Sequence, residues 1–395
     1  MTMADYDDMF LTDDQRSARD LARRFARERV VPRAAAIDHD DEFPADLYRE
    51  MAELGLPGLT IPEEYGGAGA DDLSMSLVLE ELARASGTVA NAVLLAKLQS
   101  DLIIRLGNET QRNDVVPDIA SGKRICLIAV TEPGAGTDVG GITTTATKTD
   151  TGWELNGTKA FMTAGAVGEV AVVLARTGDR SGGRDNLTTF LVPKSPHGDP
   201  TQGFVVGHKD ELMGMRGLAT AGIVFDGTRV ADDAVLGEVG QGFDNVMRSF
   251  DNGRIVIASL ALGLAQGALD ESLRYAQERM AFGRAIEKFQ AVQALIADMV
   301  VDARAARLLI RQAAMLKDGG KPFAMEASIA KLFASDAAVR TASSAVQVHG
   351  GYGYTKESVV ERIYRDAKLT QIYEGTNQVQ RVVIAREALG VERRR

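Results

Sequence analysis

The segment RICLIAV, residues 124–130, marks the change from helical to strand patterns along this chain. It is short, apolar and rich in β-branched side chains, which is typical of a buried strand. Segments of the same kind follow, separated by turn residues: GWELNGTKAF (152–161), EVAVVLAR (169–176), LTTFLVP (187–193) and AGIVFDGTRV (221–230). Asn156-Gly157 inside GWELNGTKAF predicts a two-residue hairpin turn. The sequence therefore predicts a β-domain near the middle of the chain.

Both flanks of this β-rich region carry apolar residues at helical spacing. On the amino-terminal side the helical segments are 13–32, 71–86 and 91–107, and on the carboxyl side they are 254–280, 289–320 and 322–350. This order predicts a mainly α chain with a central β-domain and a four-helix-like carboxyl part. We place the domains at 1–124, 125–237 and 238–395.

Composition limits the possible function classes. Of the 395 residues, 45% are hydrophobic and 25% charged, which is ordinary for a globular protein of two or three domains. The net charge of −10 argues against a nucleic-acid-binding surface. No apolar run approaches the ~18 residues of a membrane span, so we expect none. The acidic start MTMADYDDMF lacks the pattern of a signal peptide, and we expect a cytoplasmic location.

The cysteine and histidine content limits metal and redox chemistry. The only cysteine, Cys126, excludes an intrachain disulfide, and its apolar neighbours predict a core residue. The four histidines are well separated: His39, His197, His208 and His349. Without a Cys/His cluster we expect no metal site.

The stretch AVTEPGAGTDVGG, residues 129–141, directly follows the first predicted strand. Its glycines let backbone N–H groups approach an anion or a ring edge, and Thr131 and Thr137 add hydroxyls. No Gly-Lys-Ser/Thr follows, so it is not a P-loop, and strands rather than a helix follow, so it is not a dinucleotide fingerprint. A ligand-binding loop and a tight surface loop both remain open.

Two further stretches contain glycines beside helix ends. In ERMAFGRAIEKFQ (278–290), Arg279 and Arg284 could meet phosphates and Phe282 an aromatic ring, unless Gly283 is only a helix C-cap. QVHGGYGYTKE (347–357) offers paired glycines, or else a Schellman-type turn. We expect His349 to be a packed or surface histidine rather than a general base.

The stretch IYEGTNQVQR, residues 372–381, places one carboxylate, Glu374, between an apolar pair and a glycine. Glu374 is either an ordinary acid at a helix start or an acid held in a dry pocket for chemistry. Desolvation in such a pocket raises the basicity of a carboxylate.

Together, AVTEPGAGTD, ERMAFG, QVHGGYGYTKE and RDAKLTQIYEGTNQVQR resemble the acyl-CoA dehydrogenase family, in the family's order and over nearly the whole chain. The resemblance implies an N-terminal helical domain, a middle β-barrel or β-sandwich domain and a C-terminal four-helix bundle. It also implies bound FAD, a homotetramer or homodimer, and electron transfer to an electron-transfer flavoprotein. The reaction would remove a proton from Cα and a hydride from Cβ of an acyl-CoA, within fatty acid and lipid metabolism.

The resemblance carries over to individual positions. Glu374 would be the catalytic base, and the substrate side would include Thr137, Asp251, Arg254 and Gly375. The FAD contacts would be Ile128, Val130, Thr131, Thr137, Phe161, Met162, Thr163, Arg279, Phe282, Gln290, Gln347, Gly350, Gly351, Thr376 and Gln378. Some of these contacts would reach the FAD of a neighbouring subunit. Some branches of the family carry the base just before Arg254, where this chain has Gly253. Glu132 is expected to be a structural acceptor.

Alternatives remain open at this stage. The acyl group could be carried by an acyl carrier protein, the enzyme could be an oxidase or a flavin-dependent monooxygenase, and a flavin-bearing nucleic-acid-binding protein is a hypothesis from another class. Lys97, Gln99 and Asp101 lie where the family's acyl pocket is usually apolar or small. Lys97 and Asp101 could pair with each other, or Lys97 could bind a carboxylated acyl tail. Chain length and pathway direction are not fixed by these patterns.

Overall fold

A computed structural model describes residues 10–195 and 199–391 of the chain. The acidic start MTMADYDDMF lies almost wholly outside this range, and His197 lies wholly outside it. The amino-terminal part is helical: α1 Asp13–Phe25, α2 Ala34–Asp40, α3 Ala45–Glu53, α4 Asp72–Ala85, α5 Gly87–Leu106 and α6 Glu109–Ala120.

The sequence itself sets the starts of these helices. Thr12 and Gln15 form a reciprocal capping box at the start of α1, and Asn108 and Gln111 form another at α6. Each box satisfies N–H groups that a helix start leaves without partners. The side chain of Asp71 likewise caps α4 through the N–H of Ser74.

Within the described residues, seven strands form one mixed sheet. Their bounds are β1 Cys126–Ala129, β2 Thr145–Thr149, β3 Gly152–Met162, β4 Val170–Arg176, β5 Leu187–Pro193, β6 Phe204–Lys209 and β7 Ala221–Val230. The order in the sheet is β1-β4-β2-β3-β7-β6, with β5 pairing on β4. The pairs β1–β4 and β2–β4 are parallel, and the others are antiparallel.

The hairpin predicted at Asn156-Gly157 is wrong, because β3 runs through both residues. The turn lies instead at 150–151, between β2 and β3. The register shifts between Leu155 and Gly157, as at a β-bulge. Gly157 has a φ of +149°, and a β-carbon there would lie 2.5 Å from Thr144 Oγ1. Glycine is therefore needed at this position because the strand bulges and lies close to Thr144, and not because the chain turns there.

The carboxyl-terminal part is again helical. Its elements are α7 Gly242–Glu278, the short hairpin β8 Met280–Ala281 and β9 Arg284–Ala285, α8 Gln290–Asp318, α9 Ala324–His349, α10 Val359–Leu369 and α11 Asn377–Ala388. Gly283 is not a helix C-cap, because α7 ends at Glu278. Phe282 and Gly283 form the hairpin turn, with φ values of +50° and +78°, the pattern of a type I′ turn.

The two helical parts share one hydrophobic core. Leu79 of α4, Val93 of α5, Leu260 of α7, Ile310 of α8 and Ala334 of α9 all belong to it and are at most 2% exposed. The sheet has its own core around Trp153, Phe190 and Phe225. The predicted fold class, helical parts on both sides of a central β-domain, is confirmed.

One described helix, α7, is long and apolar enough to cross a membrane by length and composition. Its most apolar window is 83% buried within the protein. This burial is that of a core helix, against which the other helices pack.

Candidate active site

Glu374 lies in a tight turn and not at a helix start. Its φ is +53° and that of Gly375 is +88°, so two consecutive residues adopt the left-handed conformation. The next residue, Thr376, is the N-cap of α11, and its hydroxyl accepts the N–H of Val379. The interpretation of Glu374 as an ordinary helix-start acid is therefore wrong. A non-glycine residue held in this conformation is uncommon and is found often at functional sites.

Glu374 is half-buried, and its carboxylate lies against Gly253 of α7. Burial raises its pKa to about 7, although the positive charges of Lys331 and Arg254 pull the pKa downward. A carboxyl group with this pKa can exchange a proton near neutral pH, which an ordinary surface carboxylate does poorly. The position has the electrostatics of a general base.

Gly253 of α7 lies directly beneath this carboxylate. A β-carbon at Gly253 would be 2.6 Å from Glu374 Oε2. The structure thus brings together Glu374 and the position at which some branches of the family carry their base. Only one carboxylate occupies the space that the two positions share.

The neighbouring Arg254 is turned into the protein. Its side chain is buried, and its guanidinium donates to Asp251 at 2.5 Å and to Ser328 at 3.1 Å. Arg254 therefore acts on Glu374 through its charge. The predicted contact of Asp251 and Arg254 with CoA stays a prediction.

The loop 129–141 is anchored by a buried ion pair that sequence analysis found only in part. Glu132 accepts the N–H groups of Thr143 and Thr144 at 2.7 and 2.9 Å, which confirms it as a structural acceptor. Its partner is Lys159 of β3, fully buried, whose Nζ lies 2.9 Å from Glu132 Oε1 and 3.0 Å from the Val130 carbonyl.

Both members of this pair are charged at neutral pH. Burial alone would raise the pKa of Glu132, but Lys159 and the donors around it hold that pKa at about 2. Burial lowers the pKa of Lys159 to about 8, against the attraction of Glu132. The ion pair therefore ties β3 to the loop.

Because the Glu132–Lys159 ion pair joins the loop to β3, the predicted flavin-contacting residues of the β-domain lie close together. Ala160 donates to the Thr131 carbonyl at 2.9 Å, so the end of β3 lies beside the start of the loop. Phe161 is 65% exposed with a φ of +60°, next to buried Met162. The structure thus brings together Ile128, Val130, Thr131, Phe161, Met162 and Thr163, whereas Thr137 lies exposed farther along the loop.

Helix α7 connects this loop to Glu374. Val246 near its start packs with Val130, Ala135 and Val139 of the loop. Gly253 is seven residues farther on, which places it on the same face of the helix about 10 Å away. A ligand lying along this face would reach from the loop to the carboxylate.

A second group of predicted cofactor positions lies where α7 meets α8 and where α9 ends. Arg279, Gly350 and Gly351 line a cavity of about 460 Å³. In its wall His349 stacks on Tyr275 at 4.2 Å, and its Nδ1 lies 2.8 Å from the Ala345 carbonyl. His349 is therefore a packed histidine, as expected. Phe282, Gln290 and Gln347 belong to the same region and are exposed.

Lys97 and Asp101 of α5 pair with each other, whereas Gln99 Oε1 is buried without a hydrogen-bond partner among the described residues. Lys97 Nζ lies 2.8 Å from Asp101 and 3.1 Å from Asp72. Lys317 completes the cluster at 2.8 Å from Asp72. The predicted Lys97–Asp101 pair is confirmed. Two carboxylates already neutralise Lys97, so the contacts give no support to a carboxylated acyl tail at this lysine.

Sequence analysis missed Lys159 and Lys331, both fully buried. Each lies in a segment with helical or strand spacing, where a lysine is usually a solvated residue. A signal was available for Lys159, because it occupies an inward position of the alternating strand GWELNGTKAF.

Cys126 is a buried core residue, as predicted, and burial raises the pKa of its thiol to about 12. Across residues 10–195 and 199–391, no group of three or more His, Cys, Asp and Glu side chains has a metal-binding arrangement.

The residues present fit FAD. Phe161, near the end of β3, and Phe282, in the β8–β9 turn, both have a left-handed backbone and an exposed ring, and Phe282 is 96% exposed. The α-carbons of Gly134, Gly136 and Gly350 face open space. Exposed aromatic faces beside open glycine backbones suit a flat ring system and a diphosphate.

Comparison with known proteins gives the same assignment. The N-terminal, middle and C-terminal domain models of acyl-CoA dehydrogenase match residues 12–123, 127–228 and 240–389. The chain is 42% identical to an acyl-CoA dehydrogenase of Bacillus subtilis (strain 168) over 385 residues, covering 97% of this chain and 100% of that protein. It is 42% identical to the mitochondrial short-chain specific acyl-CoA dehydrogenase of Bos taurus over 383 residues, covering 96% and 91%.

The solved structure of butyryl-CoA dehydrogenase from Megasphaera elsdenii superimposes with a TM-score of 0.93 at 39% identity, covering 97% of this chain and 100% of that one. Fold, site and sequence agree over nearly the full length. The chain belongs to the acyl-CoA dehydrogenase family of FAD-dependent oxidoreductases.

Proposed function

We propose that this enzyme dehydrogenates short-chain acyl-CoA thioesters to trans-2-enoyl-CoA, with Glu374 as the base that removes the Cα proton. The observation that carries the proposal is the carboxylate of Glu374 packed against Gly253, with its pKa raised to about 7. The short-chain preference is supported by similarity to the short-chain enzyme of Bos taurus and to butyryl-CoA dehydrogenase.

The turn at Glu374 also offers a donor to the thioester carbonyl. Among the described residues, the backbone N–H of Glu374 has no hydrogen-bond acceptor. Negative charge builds on the carbonyl oxygen as the Cα proton leaves, and a fixed N–H stabilises that charge. Gly375 follows with a φ of +88°, and a β-carbon there would lie 2.8 Å from Gln380 Nε2, so glycine is what lets the turn form. One turn can therefore hold the carbonyl and remove the proton.

FAD, when bound, supplies the acceptor for the hydride from Cβ. Phe161, Thr131 and Thr163 would hold its ring system, and Arg279 and the Gly350-Gly351 backbone would meet its diphosphate. Thr376 and Gln378 begin α11 next to Glu374 and would contact the cofactor from the side of the base. These contacts remain predictions.

The proposal includes a homotetramer or homodimer. Val301, Leu308 and Met315 are spaced by seven residues on α8 and are 63%, 69% and 63% exposed. Apolar residues on one face of a helix favour burial against another copy of the chain. Electron-transfer flavoprotein as the electron acceptor and a cytoplasmic location stay predictions, the former resting on family membership.

Anaerobic titration of the FAD-loaded enzyme with acyl-CoAs of increasing chain length tests the function. We expect bleaching of the visible flavin band by butyryl-CoA and progressively less by longer chains. Glu374→Gln should abolish bleaching while retaining FAD. Glu387→Gln, which neutralises an exposed acid on α11, is the matched control and should behave as the wild type. A flavin that no acyl-CoA reduces, but that a carrier-protein thioester does, would contradict the CoA substrate.

A further inference from the structure

Lys331 lies beneath the turn that carries Glu374. It is on α9 and its side chain is fully buried. Its Nζ is 2.9 Å from the carbonyl of Gly375 and 2.9 Å from Asn377 Oδ1. A buried ammonium is costly unless it is paired and hydrogen-bonded. An apolar side chain would fill the same space without this cost, so the two hydrogen bonds of Lys331 point to a role other than packing.

The acceptors of Lys331 lie on either side of Thr376, the N-cap of α11. Gly375 is the second left-handed residue of the turn, and Asn377 is the first residue of the helix. An ammonium donates several hydrogen bonds and accepts none. One Lys331 side chain therefore fixes both the carbonyl that leaves the turn and the side chain that opens the helix.

Further side chains of α9 contact the same helix start. Ser335, one turn after Lys331, lies 2.9 Å from Asn377 Nδ2, and Asp336 accepts from the same amide nitrogen at 2.7 Å. Asp336 also accepts from Gln371 at 2.7 Å. Both ends of the segment 371–377 are thus hydrogen-bonded to α9, and Lys331 adds a hydrogen bond to Gly375 between them.

We propose that Lys331 is a positioning residue for the base: its ammonium locks the left-handed Glu374–Gly375 turn and keeps a positive charge beside the Glu374 carboxylate. This role rests on the proposed function of Glu374. Lys331 would touch neither substrate nor cofactor and would act through Glu374 alone.

The charges around the pair favour the ionised base. Lys331 approaches Glu374 from α9 and Arg254 approaches from α7, with Asp251 paired to Arg254. Burial lowers the pKa of Lys331 to about 7, while Glu374 and Asp336 raise it and Arg254 lowers it. Tyr373 beside Glu374 is partly buried, and its hydroxyl accepts a hydrogen bond from the Asn91 amide. Removal of the Lys331 charge should therefore move ionisation of Glu374 to higher pH.

A purely structural role would have a different signature. If Lys331 only stabilised the fold, its loss would lower the unfolding temperature, and the folded holoenzyme would keep its rate and its pH dependence. The test must therefore measure chemistry in folded, FAD-loaded protein.

The experiment is stopped-flow anaerobic flavin reduction by butyryl-CoA across pH 5 to 9. Lys331→Met removes the charge and the donors at similar length. We expect reduction to slow by ~10- to 100-fold at neutral pH, because the base is misplaced. The pH midpoint of the reduction rate should rise by ~1 unit, because an opposite charge is lost. Lys331→Arg retains the charge, and its midpoint should stay near that of the wild type even where its rate falls.

The matched control is Lys317→Met, which removes an ammonium of α8 that is paired with Asp72. It should lower stability and leave the midpoint and the reduction rate of the folded holoenzyme unchanged. Wild-type rate and midpoint in folded Lys331→Met would overturn the proposal, and so would a loss of stability alone. Should Lys331→Met not fold, Lys331→Gln, which keeps one donor for Gly375, is judged by the same two measurements. A wild-type enzyme that no acyl-CoA reduces would contradict the proposed function itself, independently of Lys331.

Discussion

The carboxylate of Glu374 and the α-carbon of Gly253 share one small space. A β-carbon on Gly253 would lie 2.6 Å from Glu374 Oε2, closer than any real contact of this kind. Glycine in the middle of a long helix costs about 0.5–1 kcal/mol relative to alanine. Helix stability alone would favour alanine at position 253, so we explain Gly253 by the carboxylate that lies over it.

Gly253→Ala should separate stability from activity. We expect the fold to gain up to about 1 kcal/mol, because the obstructing atom is the end of a side chain that can move and the helix prefers alanine. The displaced carboxylate should slow flavin reduction by butyryl-CoA by ~100-fold. Thermal unfolding and anaerobic stopped-flow reduction measure the two effects.

The control for this substitution is the shorter acid. Glu374→Asp withdraws the carboxylate by one methylene and makes room for the methyl group that Gly253→Ala introduces. In the double variant the two rate losses should therefore not add. Additive losses, or a single Gly253→Ala variant with wild-type activity, would show that the two residues do not compete for the same space.

Much of the site was predictable because the chemistry is concentrated in short motifs. The loop at 129–141, the turn at 372–381 and the glycines at 350–351 each also fit an ordinary loop, helix start or helix end, and only their combination resembles one family. The helix caps were also predictable, since Thr12 and Gln15 show the capping box in sequence. What these segments contact across the fold was not predictable, because contact depends on tertiary packing.

The misses have specific physical causes. Asn156-Gly157 has the composition of a hairpin turn, but Gly157 is required by its approach to Thr144 within a continuous strand. Lys159 and Lys331 were passed over because burial of a lysine depends on partners from distant segments, Glu132 in one case and Gly375 in the other. The pairing of Lys97 with Asp101 was local to one helix and was anticipated, whereas its second partner, Asp72, was not.

The pKa of Glu374 predicts the pH dependence of the chemical step. Only the ionised carboxylate accepts a proton, and burial raises its pKa to about 7. The rate of flavin reduction should therefore rise about tenfold per pH unit below that value. Above it the rate should stop rising and then fall, because the pKa of Lys331 is also about 7 and the ammonium that positions the base is lost there. Stopped-flow reduction by butyryl-CoA from pH 5 to 9 measures the profile. A flat profile over this range would exclude Glu374 as a base with this pKa.

The same pKa shift has a consequence for stability. A carboxyl group whose pKa is higher in the folded state binds its proton more tightly there, so it weakens the fold as pH rises from its ordinary pKa of 4.5 towards about 7. Glu374→Gln removes this dependence. Its stability relative to the wild type should therefore increase between pH 5 and pH 8, by ~1–3 kcal/mol. Chemical denaturation at both pH values measures the difference.

The ion pair of Glu132 and Lys159 should be essential for the loop at 129–141. Lys159→Met leaves a buried carboxylate without its ammonium, which typically costs about 3–5 kcal/mol. We expect a lower unfolding temperature and release of FAD on dilution, because the loop loses its anchor to β3. Lys148→Met on the neighbouring strand, half exposed and paired with Asp232, is the control and should change stability by less than ~1 kcal/mol.

A double variant tests whether the cost comes from the unpaired charge. Glu132→Gln combined with Lys159→Met removes both charges and should recover part of the stability lost in Lys159→Met. Equal stability of the single and double variants would mean that the charge of Glu132 is not what destabilises the single variant.

The ring of Phe282 is so exposed that we expect it to contact a ligand or another copy of the chain. Its ring is 96% exposed, and it contacts Phe289 edge-on with ring centres 5.9 Å apart. Phe282→Asn keeps a residue that tolerates the left-handed turn. We expect the apo chain to lose less than ~0.5 kcal/mol, because little packing is removed, whereas FAD should bind about tenfold more weakly through loss of the ring contact.

Fluorescence titration of the apoprotein with FAD measures the affinity, and its dependence on protein concentration shows whether the site is completed by a neighbouring copy. If Phe282 contacts FAD across an interface, the loss in affinity should be largest where sedimentation shows the associated form. Phe10→Asn removes another exposed ring, 70% accessible at the start of the described chain, and should change neither FAD affinity nor association. Unchanged FAD affinity in Phe282→Asn would remove this residue from the cofactor site and leave the hairpin turn as the only reason for its conformation.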